Sequence, residues 1–175
     1  MAENQQDVCS TPVTPDLRPE TLTDHLDRLF RAAWALCGKR EDAEDLVQET
    51  FAQVLKKRRV IASDQDALPY LLRALRNTYV SGLRGKGNRA QSIPLEDASS
   101  QLVAGPGTSP VAMTEAREVF ALIASLPDDY RDAVVAVDVV GLSYAEAATA
   151  FDVPVGTVMS RLYRGRSRVA TAAGA

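Results

Sequence analysis

From Leu22 onward the apolar residues of this chain recur every three or four positions, and no segment alternates as a half-buried strand would. Leu22, Leu26, Leu29, Phe30, Ala33, Leu36 and Cys37 make the first stripe, and Gly38 stops it. A second helix is expected from about Glu41, burying Ala43, Leu46, Val47, Phe51, Val54 and Leu55. Its acids fall in the first turn and Lys56, Lys57 and Arg58 in the last, which suits the helix dipole. After the loop "VIASDQD", Asp64 or Asp66 is placed to cap a third helix, with Pro69 tolerable only in its first turn. This helix buries Leu68, Leu71, Leu72, Leu75 and Tyr79, points Arg73, Arg76, Asn77 and Arg84 outward, and is expected to end at "GKGN". The fold class is all-α.

The period is lost between residues 88 and 112, where nine of 25 positions are Gly, Pro or Ser. Such a stretch reads as a flexible linker, able to span roughly 80 Å at ~3.3 Å per residue when extended. Helical spacing resumes near Met113, breaks at Leu126-Pro127, restarts behind Asp128 and Asp129, and stops at Gly141. The first nineteen residues are polar, carry Pro12, Pro15 and Pro19, and read as a disordered tail. The expectation is two small helical domains, 20–88 and 113–175, joined by a flexible linker at 89–112.

Charge divides the surface further. The formal net charge is -3, whereas a chain that binds DNA unaided usually has a basic excess to displace counterions. Yet Arg73, Arg76, Arg84, Lys86 and Arg89 form one acid-free basic stretch, and four arginines between Arg161 and Arg168 form another. The acids collect in "REDAEDLVQET" and "LPDDYRD". Cys9 and Cys37 form no disulfide framework, no Cys/His spacing suits a metal, and no apolar run is long enough for a membrane span. The N-terminus lacks the pattern of a secretory signal, so a reducing cytoplasm is the expected compartment. The single histidine, His25, has no nucleophile implied by spacing, which argues against an enzyme.

The segment "SYAEAATAFDVPVGTVMSRLYRGRSR" carries the strongest local signal. Ser143 and Glu146 are spaced as a capping box, "DVP" makes a turn, and Pro154 sets φ for the next helix. Ala145, Ala147, Ala148 and Phe151 are expected on the packed side of the first helix, and Val155, Val158 and Leu162 on that of the second. Thr157, Ser160, Arg161 and Arg164 would then face away. This is the layout of a helix-turn-helix, whose second helix enters the major groove. An ordinary helical hairpin with a solvated basic face has the same pattern. The second helix likewise leaves two readings for Asp42, Asp45, Gln48, Glu49 and Gln53: a solvated acidic face, or a docking surface for a basic helix. The third, with its basic side and Tyr70 and Tyr79, suits either core packing or a single-stranded nucleic-acid groove.

Taken together, "REDAEDLVQETFAQVLKK", "LPYLLRALRNTYVSGLRGKGNR" and "LPDDYRDAVVAVDVVGLSYAEAATAFDVPVGTVMSRLYRGRSR" resemble the extracytoplasmic-function (ECF) sigma factors of bacterial RNA polymerase, group IV of the sigma-70 family. The resemblance covers about residues 22 to 170, with three motifs in order. It implies a promoter-specificity subunit without cofactors. Asp42, Asp45, Gln48 and Glu49 would grip the β′ clamp coiled coil of core polymerase, and the second domain would meet the tip of the β flap. Arg73, Arg76, Asn77, Arg84 and Lys86, with the loop Val60 to Asp66, would engage the unwound minus-ten element. Thr157, Met159, Ser160, Arg161, Tyr163 and Arg164 would face the minus-thirty-five element. An anti-sigma factor is the implied regulator.

The chain departs from the family pattern at four places: Tyr70 stands for a usual tryptophan, Ser81 for an aspartate, Met159 for Lys or Arg, and Gly165 for alanine. The last substitution is expected to cost the helix modestly. Two other readings are a free-standing helix-turn-helix regulator, disfavoured by the acidic balance, and a sigma-like decoy, disfavoured by the basic third helix.

Overall fold

The structure, a computed structural model, describes residues 19–56, 67–88 and 110–174. They form seven α-helices: α1 (Pro19–Cys37), α2 (Arg40–Lys56), α3 (Ala67–Asn88), α4 (Pro110–Ala124), α5 (Asp128–Val134), α6 (Tyr144–Phe151) and α7 (Val155–Ala172). A π-helical turn, Val135–Val139, continues α5, and no strand occurs among the described residues. The expected tail, the Val60 to Asp66 loop with its candidate caps, Lys57, Arg58 and most of the linker lie outside the described residues.

Helix α1 is the central element. Leu29, Ala32, Ala33, Ala35 and Leu36 are fully or almost fully buried, and the helix packs on α2 and α3 on one side and on α4 on the other. Its end is sharp because Gly38 takes φ +74°, in the left-handed region, and donates its N–H to the Trp34 carbonyl at 2.7 Å. A side chain there would also press on α4, since a Cβ at Gly38 would stand 3.0 Å from the Ala124 Cβ.

Helix α2 follows its expected stripe with one exchange. Leu55 is exposed, whereas Thr50 is wholly buried and meets its hydrogen-bonding need by donating to the Leu46 carbonyl at 2.7 Å. Helix α3 ends at Asn88, the last residue of "GKGN", its final turn taking in both glycines, and α4 starts at Pro110, three residues before Met113. Proline at a first helical position loses no bond, because the N–H it lacks would have had no partner. At the other end, Pro19 already belongs to α1.

The second half closes around Val134, Val135, Val140, Leu142, Ala147, Ala150, Val158 and Leu162. Ala145 and Val155, expected inside, are exposed; Ala150 and Gly165 are buried instead. Arg131 staples α4 to α5. It donates to the Ala124 carbonyl at 3.1 Å, one of the orphan acceptors at the end of α4, and pairs with Asp128 at 2.5 Å.

The two halves pack on each other through α1 with α4 and α3 with α6. Trp34 of α1 lies 4.9 Å from Phe120 of α4, ring centre to ring centre. Across the same boundary, the Arg131 guanidinium sits 5.1 Å over the Tyr79 ring and that of Arg76 5.8 Å over Phe151. Arg76 also donates to the Asp132 carboxylate.

Candidate nucleic-acid interface

The turn between α6 and α7 is built as the sequence implies. The Ser143 hydroxyl accepts from the Glu146 N–H at 3.2 Å, and the Ser143 N–H donates to the Glu146 carboxylate at 2.7 Å. Hydrogen bonding from Ser143 to the Glu146 carboxylate, from its hydroxyl first and then from its backbone N–H, holds that carboxyl below its ordinary range, with Arg28 adding to the effect. Asp152 then adopts φ 55°, ψ 51°, which ends α6, and Pro154 at φ −60° opens α7. Three residues, 152 to 154, thus join α6 to α7.

Helix α7 lies tightly on α5. Gly165 is the contact point: a Cβ there would fall 2.6 Å from the Val134 Cγ2 and 3.2 Å from the Tyr130 carbonyl oxygen. The close crossing brings acids and an aromatic ring to the arginines. Arg161 pairs with Asp129 at 3.0 Å, and Arg166 grips Asp138 with two bonds of 2.5 and 3.0 Å. Arg164 reaches the Tyr130 hydroxyl at 3.5 Å, and Arg168 stacks 5.2 Å above the Tyr130 ring. The basic face is thus oriented from beneath. Met159, Ser160, Tyr163 and Arg164 are exposed, and Thr157 and Arg161 are half-buried.

Helix α3 gives a mixed outcome. Arg73, Asn77 and Arg84 are exposed as expected, and Lys86 lies within the helix. Arg76 does not point outward. It is half-buried against Asp132, so the residue expected beside a single strand is covered by α5 of the other half. Burial raises the Asp132 carboxyl above its ordinary range, although Arg76 and then Arg131 pull it down. The desolvation of that carboxylate outweighs what its cations return. Tyr79 sits beside this contact, its hydroxyl pushed up by burial and partly relieved by Arg131.

On α2, Asp42, Asp45, Gln48 and Glu49 are all exposed. The three acids rim a cleft of ≈ 280 Å³ between α2 and α3, with Cys37, Leu46, Tyr79 and Leu83 among its walls. The sequence pattern shows the acids but not this floor, because Leu83 and Cys37 belong to other helices. Among the described residues no group of His, Cys, Asp and Glu is arranged to hold a metal ion, and no helix is long and apolar enough to cross a membrane.

Residues 21–89 match the family description "Sigma-70 region 2", and residues 116–169 match "Sigma-70, region 4". The chain is 32% identical over 158 residues to the ECF RNA polymerase sigma factor EcfG of Rhodopseudomonas palustris, covering 90% of this chain and 85% of that protein. It belongs to the ECF sigma factors.

The ECF sigma factor SigE of Mycolicibacterium smegmatis is 35% identical over 86% of this chain, but the match spans 59% of SigE. In architecture, the sigma factor RpoE of Bartonella quintana, solved in complex with the anti-sigma factor NepR, superposes with a TM-score of 0.62. At 24% identity, over 87% of this chain and 95% of that one, it supports the two-domain helical fold. Within this sigma factor, region 2 carries the α2 and α3 faces, and region 4 carries the helix-turn-helix. Of the acids that orient the arginines, Asp129 reads in the sequence only as part of the acidic segment "LPDDYRD", and Asp138 of the π-helical turn carries no sequence signal of that role.

Proposed function

We propose that this sigma factor directs core RNA polymerase to specific promoters, recognising the minus-thirty-five element with α7 and melting the minus-ten element with α3. The carrying observation is the α7 face, where Met159, Ser160, Tyr163 and Arg164 stand exposed in a helix-turn-helix whose arginines are oriented from α5. In this reading Thr157, Arg161 and Arg164 serve phosphates and base edges of duplex DNA. Arg73, Arg76, Asn77, Arg84 and Lys86 serve the opened strand.

The acidic α2 face takes the β′ clamp coiled coil. A cleft with Asp42, Asp45 and Glu49 at its rim and Leu46 and Leu83 in its walls suits a helix with basic flanks and one apolar anchor. Region 4 meets the β flap, and an anti-sigma factor holds the chain inactive, as NepR's complex with its sigma factor suggests by analogy. The protein has no reaction of its own and works in the cytoplasm with the polymerase. Arg76 can reach DNA only after it parts from Asp132, so promoter engagement requires the two halves to separate.

Transcription with purified core polymerase on a library of promoter-length DNA tests the reading. Sequence-specific initiation above core alone is expected, and its absence refutes the proposal. Two variants divide the roles. Arg164→Ala should lower promoter-specific initiation about tenfold, the scale of one lost DNA contact, and leave core binding intact. Asp45→Lys with Glu49→Lys should weaken binding to core polymerase by roughly ten- to a hundredfold, because two attractions become repulsions at a desolvated rim. Loss of core binding in the first variant, or normal core binding in the second, would show the faces to be wrongly assigned.

A further inference from the structure

Helix α7 has an exposed ridge that neither the core nor the ion pairs use. Val155, Met159 and Tyr163 are 42%, 52% and 74% exposed, and they recur at i, i+4 and i+8. Residues so spaced stand in one row along a helix. The row is about 12 Å long at 1.5 Å per residue, the length of three to four base-pair steps. Exposing three large apolar side chains in line on a recognition helix is costly unless something apolar covers them.

Two neighbouring features say what covers them. Arg161, Arg164 and Arg168 form a cationic row along the opposite edge of the exposed surface of α7, each steadied by Asp129 or Tyr130 and suited to a phosphate backbone. Between the two rows stand Gly156 and Ser160, both exposed and both small, which let the helix backbone approach base edges closely. A helix with an apolar row along one edge of its exposed surface, a cationic row along the other and small residues between them is shaped to lie in a major groove. The apolar groups in that groove are the thymine 5-methyls.

We infer that the Val155–Met159–Tyr163 ridge reads thymine methyl groups, so that the minus-thirty-five sequence preferred by this chain has thymines facing it, with Met159 as the central specificity residue. This rests on the promoter-reading role proposed for α7 and names what it reads. Methionine offers a flexible, polarisable contact but no donor for guanine. Arginine or lysine at the same position would select the guanine O6 and N7 instead.

The test uses holoenzyme assembled from core polymerase and the full chain. A preferred promoter is first selected from DNA randomised across the minus-thirty-five element. Each thymine in it is then replaced by deoxyuridine, which removes the methyl and leaves pairing and phosphates intact. Initiation is expected to fall about threefold to fivefold at one or more positions, the effect of withdrawing one methyl-sized group from an apolar contact. Met159→Ala should bring the thymine-to-uracil ratio to one at the central position, and Met159→Arg should shift the selected base there to guanine. Arg164→Ala should lower initiation on both templates and keep the ratio.

Equal initiation from thymine and uracil at every position overturns the inference while leaving the sigma role standing. So does a Met159→Ala variant that keeps the ratio, or one that loses core affinity with base preference unchanged, since the ridge would then face a protein. Absence of any sequence-specific initiation would instead strike the sigma role itself.

Discussion

Gly165→Val is expected to destabilise the protein by about 3 kcal/mol, and even Gly165→Ala by about 1 to 2 kcal/mol. On helix propensity alone the opposite holds, since alanine is favoured over glycine inside a helix by about 1 kcal/mol. Packing reverses the sign. The added Cβ would stand 2.6 Å from Val134 Cγ2 and 3.2 Å from the Tyr130 carbonyl oxygen. Val134 is almost fully buried and β-branched, so it has little rotamer freedom with which to yield, and the oxygen belongs to the backbone of α5. The two helices must therefore part by several tenths of an ångström. Parting them also disturbs Tyr130 and Asp129, on which Arg164, Arg168 and Arg161 rest. Thermal unfolding followed by circular dichroism should show the midpoint several degrees lower for alanine and further reduced for valine. A stabilised Gly165→Ala would mean that α5 and α7 do not cross as closely as described.

Gly165 also marks the limit of what the sequence discloses. Read along α7 alone, it is a helix position with a missing methyl; the reason for it lies on another helix. Local features were legible because they are written locally: apolar spacing located all seven helices, and the Ser143–Glu146 capping box and the Pro154 start came out as expected. Errors gathered at ends of stripes. Leu55 and Val155 keep the period yet are exposed, Leu55 in the last turn of α2 and Val155 at the first position of α7. Glycines at 85 and 87 reduce helix propensity without forbidding a helix, and α3 runs through them. At the candidate interfaces, the exposed α2 acids and most of the α7 face follow from periodicity. The partners of the arginines do not, because charge patterning tells which segments attract and not which side chains meet. Arg76 is the clearest case: its helical face was placed correctly as away from its own core, and another part of the chain covers it.

That cover can be removed by reversing one charge. Arg76→Glu should open the contact between the two halves, shifting its closing equilibrium by about 2 kcal/mol, or roughly thirtyfold. The figure lies between an exposed pair and a fully buried one, because Arg76 is one-third exposed while Asp132 is 7% exposed. Trp34 is the single tryptophan of the chain and reports the change directly. It is 8% exposed and packs on Phe120 from the other half, with a buried indole N–H that has no hydrogen-bond partner among the described residues. Burying such a donor is unfavourable, so separation gives it water and moves its emission to the red. The paired exchange Arg76→Glu with Asp132→Arg should restore the blue emission; failure to restore it, or an unshifted single variant, would refute the ion-pair account. Protons should act on the same contact. Burial, partly offset by Arg76 and Arg131 and reinforced by Asp128, leaves the Asp132 carboxyl raised, so the closed arrangement takes up a proton. Closure is then strongest below the ordinary carboxylate range and weakens as pH rises through the raised value. Emission should move to the red over that interval, and Asp132→Asn should remove the dependence. A loose contact with this sign suits a subunit that must open before Arg76 can face a single strand, since the acid that hides the arginine is itself poorly paid for its burial.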